Sequence, residues 1–146
     1  MKTLLFTGLL SYVVLLNQTD TPILINWKRL TDVKFDRKFN KQVNMYFLYP
    51  TFGPAVTALK GKEVQIRGYM IPVDEENNIY VISAQPMAMC FFCGGAGPES
   101  IIELQMKDKK LRFKTDAVKT VSGKLLLNPD NVEHLNYILQ DAHLVK

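Results

Sequence analysis

From Lys62 onward, apolar and polar residues alternate: Val64, Ile66, Gly68 and Met70 stand against Glu63, Gln65, Arg67 and Tyr69. Successive strand side chains point to opposite faces, so this pattern predicts a strand with one buried face, whose regular part ends at Pro72. Gly68 in mid-strand predicts a bulge or sharp bend. Turn chemistry at Glu76-Asn77-Asn78 predicts a return along Ile79 to Ala84. Ser100 to Met106 reads as a third strand, and a turn at Asp108-Lys109 leads into Leu111-Arg112-Phe113. Val118 to Leu127, with Gly123 inside it, reads as a long, bent fourth strand. Asn128-Pro129-Asp130 predicts a short helical turn through His134, followed by a final strand over Tyr137 to Val145. Five bent strands with glycines at the corners fit a mainly β, five-stranded Greek-key barrel of the OB type over residues 62–146.

Upstream the pattern is weaker. Asn26 can cap a helical turn containing Trp27 and Leu30, and Val33-Lys34-Phe35-Asp36 alternates as a strand does. Met45 to Tyr49 reads as a second extended segment, stopped by Pro50. Gly53-Pro54 opens a helical turn through Ala55, Val56 and Leu59, with proline where its missing N–H costs least, and Gly61 ends it. Residues 20–61 are too few to bury a core alone, so they read as an N-terminal extension packed on the barrel. Before them, Lys2, an apolar run from Leu4 to Leu16 and the polar Asn17-Gln18-Thr19-Asp20 follow the order of a secretory signal, here residues 1–19. The run is shorter than the roughly 20 residues that span a bilayer comfortably, so no transmembrane domain is expected in the mature chain. A periplasmic or otherwise exported location follows, with an uncleaved membrane anchor as the alternative, because no A-x-A junction is present.

Charge narrows the partners. The net charge is +4, but Lys and Arg alternate with Asp and Glu along most of the chain. Nucleic-acid binding is not expected from such scattered charge, since that function concentrates basic residues on one face. There is no nucleophile elbow, phosphate loop or H-E-x-x-H helix, so hydrolase and nucleotide chemistry have no visible apparatus.

The feature that points most directly at chemistry is Cys90-Phe91-Phe92-Cys93, which holds both cysteines of the chain, followed by GGAGPES. Two sulfurs at this spacing can close a short disulfide, share a metal or cycle between thiol and disulfide. Gly94, Gly95, Gly97 and Pro98 force a tight path after the second sulfur and shape the loop. A disulfide here would enclose a very short loop and contribute about 2 kcal/mol or less. Metal coordination, by zinc or another transition-metal ion, needs further ligands: Glu99 is the nearest candidate in sequence, and His134 and His143 are too distant for a finger-type pattern. His143 follows Asp141 by two residues on the last strand, so both can share a face. A redox pair commonly sits at a helix N-terminus, which GGAGP does not readily start. Met87, Met89, Phe91 and Phe92 read as core or as the lining of a soft-metal or apolar site.

The segments LKGKEVQIRGYMIPVD, NIYVISAQPMAMCFFCGGAGPESIIEL, VSGKLLLN and LNYILQDAHLV resemble a group of exported Gram-negative bacterial proteins that carry a domain of unknown function and are similar to OB-fold barrels. The likeness begins at Trp27, and GKEVQIRGYMIP and CFFCGGAGPES are its most specific parts. It implies an exported, barrel-type, non-enzymatic protein and supplies no established reaction. It also implies a partner among exported or membrane transport components that handle metals. Three functions stand at this point: an accessory module holding a metal ion, small ligand or partner through the CxxC loop; a structural protein with a disulfide staple; and a thiol-disulfide enzyme.

Overall fold

A computed structural model describes residues 21–77 and 79–145. The expected signal segment, 1–19, lies outside the described residues. The chain forms strand β1 (Ile23–Leu24), helix α1 (Trp27–Leu30), strands β2 (Val33–Asn40) and β3 (Met45–Phe52), and helix α2 (Pro54–Thr57). Strands β4 (Glu63–Asp74), β5 (Ile79–Ser83), β6 (Ile101–Met106), β7 (Ala117–Leu127) and β8 (Tyr137–Leu144) follow. Among the described residues, no helix is long and apolar enough to cross a membrane.

The five long strands close on themselves in the order β4-β5-β6-β8-β7, with β7 pairing back to β4. β4 makes the closure because it is long enough to serve two neighbours. It pairs with β7 from Glu63↔Lys124 to Met70↔Ala117 and with β5 from Tyr69↔Ser83 onward. The parallel β6–β8 pair completes a small Greek-key, OB-like barrel. Val64, Ile66 and Met70 point inward as the alternation requires, and meet Ile82, Ile102, Val121, Leu125 and Leu139. Each such side chain contributes about 1.5–3 kcal/mol when fully removed from water.

Residues of the N-terminal extension complete this core. β1 lies parallel to β4, and Ile25, Leu30, Val56 and Leu59 are buried in the same cluster. Asn26 caps α1 as expected, its side chain accepting from Arg29 N–H. Trp27 Nε1 donates to Arg67 O at 2.9 Å, and Tyr137 Oη donates to Leu30 O at 2.8 Å. β2 and β3 form a separate antiparallel ribbon, in register from Val33↔Phe52 to Asn40↔Met45.

Three local expectations meet a different structure. Pro50 does not stop its strand but pairs with Phe35 inside β3. A two-stranded ribbon has outward positions whose N–H makes no ladder bond, so proline is tolerated there. Gly68 makes no bulge: it keeps register with Lys119, and a Cβ there would stand 2.5 Å from Ser83 O. Close backbone approach is what excludes a side chain. Asn128 to His134 is not helical. The buried Asn128 amide donates to Asn131 O, His134 O and Leu135 O at 2.7–3.2 Å and accepts from Asn131 N–H at 3.0 Å, so it satisfies the backbone that a helix would otherwise pair. A 3-10 turn, Met87–Met89, leads into Cys90.

Candidate functional site

The loop between β5 and β6 has a closed neck, where Ala84 N–H donates to Ser100 O at 2.9 Å. Pro86 opens the Met87–Met89 turn, and Met87 N–H is held by Asp116 Oδ1 at 2.7 Å. Cys90 is extended and buried, and Phe91–Cys93 makes a second 3-10 turn in which Cys93 N–H donates to Cys90 O at 3.1 Å. Gly94 then adopts a left-handed φ of 76°, and Gly95 packs so closely on Met89 that a Cβ would collide with its carbonyl oxygen. Gly97 precedes the Pro98–Ser100 turn and accepts from Ser100 Oγ at 2.6 Å. The left-handed turn at Gly94 and the close packing of Gly95 on Met89 set the path of the chain after Cys93.

Both cysteines are free thiols, Cys90 buried and Cys93 exposed. The candidate additional ligands make contacts of their own. Glu99 folds its carboxylate back over Gly97, and its charge reaches Tyr137. His134 places Nδ1 2.9 and 3.1 Å from the two carboxylate oxygens of Glu103, which also accepts from Leu135 N–H. His143 and Asp141 are both exposed, and His143 Nδ1 lies 3.2 Å from the Asp141 carbonyl. Among the described residues, no group of three or more His, Cys, Asp or Glu is placed to hold a metal ion.

What the loop does build is the wall of an apolar cleft of about 390 Å³. Phe91 and Pro98 line one part, Tyr46 to Tyr49 of β3 another, and Pro129 to Val132 with His134 to Asn136 a third. Buried Ile101, the first residue of β6, belongs to the same lining. The walls meet because β6 and β8 run parallel, which brings the loops preceding both strands to one end of the barrel. The Glu103–His134 pair and the Asn128 amide fix the third wall. Met87, Met89 and Phe92 stay exposed on the CxxC loop and extend the apolar surface beyond the cleft. A second, more polar groove of about 480 Å³ runs over Ile79, Glu103, Gln105 and Asp141.

Sequence reasoning did not single out β3 or Asn128 as parts of this site. A signal for Asn128 was present in the run of amides Asn128, Asn131 and Asn136, since asparagine favours side-chain-pinned turns over helix interiors.

No family model matches the chain, and no curated protein matches it. Among solved structures it is similar to the crystal structure of a DUF3299 family protein from Pseudomonas aeruginosa. The TM-score is 0.53 at 12% identity, over 86% of this chain and 97% of that one. At that identity the likeness concerns the fold.

Proposed function

We propose that this protein is a small exported binding module, non-enzymatic, whose cleft beside the CxxC loop receives apolar side chains of a partner polypeptide such as an exported or membrane transport component. The observation that carries the reading is the cleft itself. Three separate segments converge on it, and its volume lies in the range of preformed binding clefts. The apolar surface continues past the rim over Met87, Met89 and Phe92, which favours a polypeptide over a compact small molecule. The CxxC motif serves this surface as architecture: buried Cys90 anchors the loop, and Phe91 is presented to the cleft.

An anilinonaphthalene dye, which fluoresces in apolar sites, tests the cleft directly. Phe91→Ser and Leu135→Ser should each weaken the cleft component of dye binding about tenfold or more, by the loss of one buried apolar side chain. Cys93→Ser should leave it unchanged. Equal dye affinity in all three variants would contradict the proposal.

A further inference from the structure

The β2–β3 ribbon pairs with no other described strand, and its tip combines two properties. Within residues 39–48, Phe39, Val43, Met45, Tyr46 and Leu48 are all exposed, by 42–59%. Single exposed apolar residues are ordinary, but a contiguous group marks an interaction surface. The same ribbon and its turn carry Lys34, Arg37, Lys38 and Lys41 against one acid, Asp36. Arg37 sits 4.4 Å above the Tyr46 ring, and Phe39 packs edge-on against Tyr46 at 5.1 Å. The turn is set by Gln42 N–H donating to Asn40 Oδ1 and by Asn44 at a left-handed φ of 54°.

From this combination we infer that the ribbon tip docks on an anionic lipid surface. Cationic side chains meet negative headgroups while neighbouring aromatic and aliphatic groups enter the interface, as basic amphipathic elements do. A membrane fits better than a flat protein face because successive residues Met45 and Tyr46 point to opposite faces of the ribbon, and both are exposed. A tip that is apolar on both faces suits immersion. Tyr46 and Leu48 also line the cleft, whereas Phe39, Lys41, Val43 and Met45 do not, so the substitutions that test the docking lie outside the cleft.

The test uses the full-length chain carrying Phe39→Trp, with the unsubstituted chain measured alongside to subtract Trp27 fluorescence. Vesicles of phosphatidylglycerol with brominated acyl chains should quench the new indole, whereas brominated phosphatidylcholine vesicles should not. Adding Lys38→Gln and Lys41→Gln should weaken apparent vesicle affinity about thirtyfold, the loss of two basic contacts with an anionic surface. Met45→Trp, on the opposite face, should repeat the result. Absence of quenching in both indole variants overturns the proposal, even if the chain sediments with vesicles, because another segment would then be responsible. Equal quenching by the two lipids overturns it too.

Discussion

Cys90 and Cys93 share a motif but not an environment, and their reactivity should diverge. Cys90 is buried, while Cys93 is open to solvent. In the native protein, a soluble maleimide should label Cys93 promptly and Cys90 only after denaturant is added, as read by peptide mass. Equal labelling rates would contradict the placement of the loop. Asn128 carries a heavier structural load. Asn128→Ala strands several backbone carbonyls near the barrel end, and at about 1–3 kcal/mol for an unpaired buried group the loss should reach about 3 kcal/mol in urea unfolding. Tyr137 adds a pH signature. Burial, and then the charges of Glu99 and Asp32, push its phenol above the ordinary value of 10.0. Above about pH 10 the unfolded chain therefore releases a proton that the folded state keeps. Its contribution is complete below that pH and falls as pH rises further, so Tyr137→Phe should show a shallower alkaline loss of stability. The run of glycines after Cys93 marks a non-helical segment in the sequence. The fate of the sulfurs was not legible there, because burial of one and exposure of the other depend on chain segments distant in sequence.

Among the elements, strands with one buried face were the most readable. The alternation in β4 and the apolar runs in β5, β6 and β8 follow from burial on a barrel wall, and all four form. Reading failed where a contact between elements replaced a local rule. Gly68 reads in the sequence as a bulge or sharp bend; no bulge forms, and the nearby Ser83 carbonyl on β5 leaves no room for a side chain. Gly68→Ala should therefore destabilise the fold by about 1–3 kcal/mol, an overpacking cost, although alanine ordinarily suits a strand better than glycine. The β2–β3 ribbon was visible as two extended segments, but its register and continuation through Pro50 required both strands together. The cleft was invisible for the same reason: its walls are β3, the CxxC loop and residues 129–136, brought together only by barrel closure.

At the scale of the whole molecule, the barrel and its N-terminal extension share one core. Leu30 and Val56 are fully buried in the barrel core, and Tyr137 on β8 bonds back to Leu30. Leu30→Ala should cost about 2–5 kcal/mol in urea unfolding, the range for a large side chain removed from a packed core. A cost near zero would make the extension an accessory rather than part of the core. In the proposed function, this assembled end of the barrel binds a partner in the cleft. The most direct measurement replaces Phe91, Leu135 or, as a remote control, Lys124 with a photo-crosslinking amino acid in the producing cell. One discrete adduct of the same mass is expected from positions 91 and 135, and none from position 124. Identical adduct patterns from all three positions, or none from either cleft position, would contradict the proposed function.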